Sequence, residues 1–266
     1  MKTTVAFKGG IPEKYDRYLG PFLFEPYALD IVSRLQDKEY NDILEVACGT
    51  GRVTAHLAKD VKHHTITATD LNPDMIEVAM KRVHNDSVKW LQADATELPF
   101  DDNSFDLVTL QFGIMFFPDK LKALAEFYRV LKPGGKLLYN TWDKSENVPA
   151  IYEGRKVIES YFKNGPPAFY YVPFSMYDEK ELSEITTSAG FKNVKVELVK
   201  KEAVSSSAEE LTIGIVEGNP IYLEILEMDP KLVEPIMEQV KNALVKRFGD
   251  NPLKDNLRAW VVEGIK

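Results

Sequence analysis

The chain has 266 residues with 33 Lys+Arg against 41 Asp+Glu, a formal net charge of −8. A compact chain of this length buries roughly 70–75% of its unfolded surface, enough to fold without a disulfide or a structural metal. The single cysteine, Cys48, excludes an intramolecular disulfide framework and suits a reducing compartment. The acidic balance argues against affinity built on phosphate neutralisation. No stretch reaches the ~18 apolar residues of a membrane span, and MKTTVAFKGG carries no apolar signal core. A cytoplasmic globular protein is expected, with no nucleic acid and no membrane among its partners.

From about residue 40 to 142 the pattern is regular. Ile43–Ala47 is an apolar strand run that ends in the small-residue loop Cys48-Gly49-Thr50-Gly51, and a helix follows to about Lys59. Thr65–Thr69 predicts a second strand. Pro73 can start the next helix, with Met75, Ile76, Ala79 and Val83 on one face. Val88–Leu91 and Phe105–Leu110 are the third and fourth strands. A helix from about Asp119 to Leu131 is stopped by Pro133-Gly134-Gly135 before a fifth strand, Lys136–Thr141. Strands alternating with helices of this length predict a parallel sheet covered by helices.

Beyond Trp142 the rhythm breaks. Residues 145–175 hold a helical stretch and an irregular aromatic segment, and a helix at about Asp178–Ala189 ends on Gly190. Val194–Val204 is a strand candidate. Residues 206–252 read as helical with interruptions at Pro220, Pro230 and Pro235, and Leu257–Val262 is a closing strand. The two irregular regions are each too short for a core of their own. One domain over 1–266 is therefore expected, with an N-terminal cap at 1–40, a core at 41–142, insertions at 145–175 and 206–252, and a last strand at 257–264.

The chemistry concentrates where the first strand meets its loop. Glycines at 49 and 51 allow close approach of the backbone to a ligand, at the carboxyl edge where open α/β sheets bind. Asp70 closes the second strand, placed to accept hydrogen bonds from both hydroxyls of a ribose. Asp94 follows the third strand, within reach of an adenine amino group. A dinucleotide reading is disfavoured, because the third glycine position of its fingerprint is Thr54.

Five ordered segments, ILEVACGTGRVT (43–54), ATDLNPDMIEVA (68–79), LQADATELPF (91–100), FDLVTLQFGIMFF (105–117) and LKPGGKLLYNTW (131–142), resemble class I S-adenosylmethionine-dependent methyltransferases. The ubiquinone/menaquinone-biosynthesis-type enzymes and their small-molecule relatives are the most similar subgroup. The resemblance implies an α/β fold: a Rossmann-like, seven-stranded, mostly parallel sheet with helices on both faces, the last strand antiparallel, and helical lid insertions. It implies that S-adenosyl-L-methionine is the cofactor, with the Ala47–Gly51 loop, including Gly49, lining its methionine part. Asp70 would meet the ribose, Leu71 the adenine face, and Asp94 with the Ala95 backbone the adenine edge. Gln111 would lie near the transferred methyl, and Tyr15 and Tyr18 in a segment that covers the cofactor. Ala47 departs from the family, which more often has glycine there.

Each residue also has a plainer reading. Glu45 either contacts the cofactor or braces the loop. Cys48 reads as a small buried residue. The histidines 56, 63, 64 and 84 fall on helices or their ends without ligand spacing, so no metal site is expected, and His63-His64 reads as a solvated turn. Lys195, Lys200 and Lys201 read as a solvated strand face. The rings of Phe162, Phe169, Tyr170, Tyr171, Phe174 and Tyr177 read first as lid core, some of them lining a pocket.

In the resembled topology both insertions emerge at the cofactor edge, where they and the N-terminal segment would roof a pocket for a small or medium, partly apolar acceptor. Gln111-Phe112-Gly113-Ile114 lacks the Asn/Asp-Pro-Pro-aromatic tetrad of enzymes that methylate nucleic-acid or protein amines. The expected activity is O- or C-methylation of a small molecule by in-line displacement, in a monomer or homodimer. Asp119, Asp143 and Tyr139 lie near the strand ends, but none is assigned as catalytic. The alternative is a non-catalytic S-adenosylmethionine-binding regulatory or scaffold protein.

Overall fold

The computed structural model describes residues 7–163, 165 and 167–266. A helical run opens the chain: α1 (Ile11–Lys14) passes into a wide π-helical stretch (Tyr15–Phe24) and then α2 (Glu25–Ser33). Then follow β1 (Tyr40–Val46), α3 (Arg52–Asp60), β2 (His63–Asp70), α4 (Pro73–Arg82), β3 (Val88–Gln92), β4 (Phe105–Gln111), α5 (Lys120–Val130) and β5 (Leu131–Trp142). The second half holds α6 (Pro149–Glu159), α7 (Glu179–Ser188), β6 (Lys192–Ser205), α8 (Ala208–Glu217), α9 (Ile221–Met228), α10 (Val233–Phe248) and β7 (Leu253–Ile265).

Local chemistry sets many of these ends. Asn72, Asp119, Asp178 and Ser207 cap α4, α5, α7 and α8 by accepting first-turn amides, as short polar side chains do at helix starts. Gly190, at φ +106°, follows α7 in the left-handed conformation that favours glycine after a helix. Pro235 does not interrupt the last helix, contrary to the sequence expectation. It is the third residue of α10, inside a first turn whose amides have no intrahelical partner to lose. Pro133-Gly134-Gly135 likewise lies within β5, at a shift of register against β4. His63 and His64 open β2 rather than forming a solvated turn. The His63 ring bonds the Val61 carbonyl at 2.7 Å and the Ser87 hydroxyl at 2.8 Å.

The seven strands are ordered β3-β2-β1-β4-β5-β7-β6. The pairs β3–β2, β2–β1, β1–β4 and β4–β5 are parallel, and β7 runs antiparallel to β5 from Lys136↔Ile265 to Trp142↔Ala259. This is the expected Rossmann-like α/β sheet with its last strand reversed. Strand order reverses at β1, so the connections leaving β1 and β4 diverge and open a crevice at their carboxyl ends.

Two compact units are distinguished, one comprising Met1–Pro26, Lys144–Phe174 and Lys200–Arg258, the other Tyr27–Asp143, Ser175–Val199 and Ala259–Lys266. The first gathers the N-terminal helical run as far as Pro26 and both irregular regions into one helical cluster. There α6, α8 and α10 pack on one another, burying Ile158, Leu211, Ile215, Val240 and Leu244. Two glycines permit this closeness: Gly154 on α6 lies against Ile215 and Val240, and Gly214 on α8 against Tyr18 and Leu19. The second unit carries the parallel sheet, whose core includes Ile43, Leu44, Ile66, Leu107, Val108, Leu137 and Leu138.

Candidate cofactor site

All the elements of this site belong to the sheet-bearing unit. β1 delivers Glu45 and then turns through Ala47, Gly49 and Gly51, each with positive φ (51°, 54° and 74°), into α3. Two bonds fix the loop from outside: the Cys48 amide donates to the Thr69 carbonyl at 2.9 Å, and Arg82 of α4 donates to the Thr50 carbonyl at 3.0 Å. At Gly51 the helix α4 comes so close that a Cβ would lie 2.8 Å from that of Ala79. At Gly49 the opposite holds, since nothing approaches a Cβ position within 4 Å. The loop thus presents open backbone on one side and is clamped on the other.

Asp70 is the hub. Its Oδ2 accepts the Gly49 amide at 2.8 Å and its Oδ1 the Asn72 amide at 2.8 Å. Burial raises its carboxyl above the ordinary range, and these amides oppose the rise. The Leu71 amide bonds the carboxylate as well, and an acceptor of about four lone-pair sites still has room for a ligand hydroxyl. Beside it Leu71 is 60% exposed, an apolar surface of the kind an adenine face needs. Asp94 is exposed past β3. Its Oδ1 accepts the Thr96 amide and hydroxyl, both at 2.8 Å, and Ala95 between them is buried.

Glu45 is 2% exposed, and its Oε2 accepts the Thr54 hydroxyl at 2.6 Å. The Thr54 backbone amide bonds it as well. Glu45 therefore serves the open N-terminus of α3, where Gly51 provides no side-chain cap. Burial, reinforced by the neighbouring Asp70, pushes its carboxyl up to about 8. The bracing role of Glu45 is thus seen directly, and its partner Thr54 is the residue that sequence reasoning passed over. The available signal was a hydroxyl in the first helical turn behind an acid at the strand end.

Gln111 is the last residue of β4, half-buried. Phe112 after it has φ +51°, and its amide is held by Asn140 Oδ1 at 2.9 Å. Asn140 is fully buried in β5, another residue the sequence reading did not single out. Phe112 stacks on Trp142 at 3.7 Å, with Tyr27 edge-on to both. Cys48 is buried, and its thiol is pushed well up by that burial.

Tyr15 and Tyr18 belong to the helical unit. Tyr15 packs between Phe7 and Phe24, and Tyr18 lies beside Arg17 and Gly214. Of the aromatic segment, Tyr170 is buried, whereas Tyr171 and Tyr177 are exposed. Tyr139 is fully buried with its hydroxyl 2.8 Å from that of Thr186, and burial raises its phenol. Asp119 is the α5 cap, accepting the Lys122 amide. Among the described residues no cluster of three metal-binding side chains occurs, and no helix is long and apolar enough to cross a membrane.

An open glycine backbone, a carboxylate with acceptor capacity to spare, an exposed leucine and a further carboxylate beyond it fit an adenosine-containing cofactor. Residues 26–208 match the ubiE/COQ5 methyltransferase family. The chain is 32% identical over 205 residues to a demethylmenaquinone methyltransferase of Staphylococcus haemolyticus, covering 70% of this chain and 84% of that protein. The Staphylococcus aureus counterpart is 33% identical over 205 residues, covering 70% and 83%. Among solved structures, a phosphoethanolamine N-methyltransferase of Haemonchus contortus bound to S-adenosyl-L-methionine superposes with a TM-score of 0.62 at 20% identity, over 96% of this chain and 56% of that one. A methyltransferase of Thermotoga maritima superposes at 0.55 with 22% identity, over 96% and 95%. With the matched segment spanning the loop, Asp70, Asp94 and Gln111, the chain belongs to the ubiE/COQ5 methyltransferase family and uses S-adenosylmethionine as its cofactor.

Proposed function

We propose that the chain transfers a methyl group to a small, partly apolar quinone-type acceptor in its reduced form, by in-line displacement. The observation that carries this reading is the identity of about a third, along most of their length, to relatives named for demethylmenaquinone. The cofactor supplies a methyl already activated on a sulfonium, so the protein's task is to hold it in line with the acceptor and exclude water. In this reading Asp70 holds the ribose, Leu71, Asp94 and Ala95 the adenine, and the Ala47–Gly51 loop with Glu45 the methionine part. Gln111 stands at the transferred methyl.

A ring carbon or oxygen of a hydroquinone becomes nucleophilic as its hydroxyl loses a proton. Tyr139 is unsuited to take that proton, since burial holds its phenol in the neutral form and outweighs the opposing hydrogen bond with Thr186. The test is a single-turnover incubation of the protein with S-adenosylmethionine and a reduced demethylated naphthoquinone, read by mass spectrometry. One methyl gained by the quinone is expected. Cofactor binding with no transfer to reduced naphthoquinones or benzoquinones would overturn the acceptor class and leave a binding protein. In the same material Asp70→Ala should weaken cofactor binding by about 1–3 kcal/mol, the loss of a hydrogen-bonding partner for the ribose.

A further inference from the structure

Two carboxyls, the buried Glu45 and the half-buried Asp70, stand on adjacent strands at the edge of the cofactor loop, close enough for Asp70 to raise Glu45 electrostatically. The groups around Glu45 are specific. From α3 come the Thr54 hydroxyl and amide, from β2 Asp70, and from the loop the Cys48 thiol. The register partners of Glu45 are Ala68 on β2 and Thr109 on β4, neither of them titratable. Arg82, the cation braced against this loop, spends its Nε on the Thr50 carbonyl. No positive group acts among the causes that set either carboxyl.

A second observation points the same way. The Thr109 hydroxyl is buried and has no hydrogen-bond partner, on the strand beside Glu45 and level with it. A buried hydroxyl without a partner is a net cost to the fold. The strand beside Glu45 thus offers it no hydrogen bond from Thr109.

Two adjacent acids, one of them buried, with no cation among the described groups that act on them, cannot both ionise cheaply. Asp70 has three backbone amides to hold its charge, from Gly49, Leu71 and Asn72. Glu45 has one residue, Thr54, and the deeper burial. We propose that Glu45 carries a proton in the cofactor-free protein and releases it when the ammonium of the cofactor's methionine part enters, so that cofactor binding is coupled to proton release. The inference rests on the cofactor placement given above. The step balances simply: the Glu45 O–H bond breaks, its electron pair stays on the carboxylate, and the proton goes to bulk solvent. The ammonium then supplies the positive charge that the site lacks.

The sign follows from linkage. Where the free protein holds a proton that the complex does not, affinity rises with pH, by up to about tenfold per unit, and levels off once Glu45 ionises unaided. That upper limit lies near 8. The cofactor's own α-amino group, with a model value of about 7.7–8.0, must remain charged, so the measurement belongs near pH 6.5.

The experiment is calorimetric titration of the full chain with S-adenosylmethionine and with S-adenosylhomocysteine, each in buffers of low and high ionisation enthalpy. Both ligands carry the ammonium. Release of most of one proton is expected with both, alongside loss of a protonated-carboxyl infrared band. Glu45→Gln should bind without proton release and without the band. Thr54→Val retains the carboxyl but removes a donor that favours its charge, so its affinity plateau should move to higher pH, which keeps the test intact if Glu45→Gln fails to fold. Binding with no proton release and no infrared change would overturn the inference and leave the cofactor assignment standing. Absence of any binding to the folded protein would instead sink the cofactor placement itself.

Discussion

At the residue scale the most informative position is Ala47. Its φ of +51° places an L side chain in the left-handed region, at a cost of about 1–2 kcal/mol. Replacement by glycine removes that strain but loosens the unfolded chain by about 0.4–1 kcal/mol. A net stabilisation of about 0.5–1 kcal/mol is expected for Ala47→Gly, measured as a higher urea midpoint with unchanged slope. The alanine methyl also has a dedicated space: a Cβ on Gly113 would lie 2.8 Å from the Ala47 Cβ. Gly113→Ala should therefore destabilise by about 1–3 kcal/mol, the usual cost of overpacking, and by clearly less in the Ala47→Gly background. Strict additivity of the two substitutions would show that the residues are not coupled. The placement of the strand-end acids and loop glycines was readable because short apolar runs end at them and glycine marks the turn into α3. Thr54 was not, because a missing glycine reads as a subtraction, while the hydroxyl that replaced it holds Glu45. The strained Phe112 was also illegible, since only the register β4–β5 brings Asn140 to its amide.

At the scale of elements, strands and helices between 40 and 142 were legible to within a few residues, because each helix shows one apolar face and each strand a short apolar run. The N-terminal helical run was not. Glycine and proline both disfavour a helix interior, yet the chain continues through Gly20-Pro21 as a π-helical stretch with Pro21 inside. Tertiary packing holds it: Leu19 and Phe22 are buried, and Leu19 sits where α8 has Gly214. Helix propensity alone would favour alanine at 214 by about 1 kcal/mol. Geometry reverses this, because the new Cβ would lie 2.8 Å from Leu19 Cδ2 and 3.0 Å from Tyr18 Cβ, the latter too near the backbone to yield. Gly214→Ala should thus lower stability by about 1–3 kcal/mol. Equal or higher stability in denaturant unfolding would mean that the N-terminal run is not packed there. Combining Gly214→Ala with Leu19→Ala should cost less than the sum of the two.

At the scale of the whole molecule, the expected cofactor contacts of the loop, Asp70–Leu71, Asp94–Ala95 and Gln111 all lie within one of the two compact units. A ligand that binds only the folded form stabilises by about 2.7 kcal/mol at a hundredfold excess over its dissociation constant. That free energy acts on opening reactions that break the site, so it should be distributed unevenly along the chain. Amide hydrogen exchange with saturating S-adenosylmethionine is therefore expected to slow most at residues 45–54, 70–72, 94–97 and 111–113. The amides of Gly49 and Asn72 should lead, since the Asp70 carboxylate that holds them is the one the ribose would engage. Asp70→Ala should abolish most of this protection at the same cofactor concentration, while amides of α6, α8 and α10 change less in either protein. Protection confined to those three helices, with the loop unaffected, would place the cofactor somewhere other than the carboxyl edge of β1.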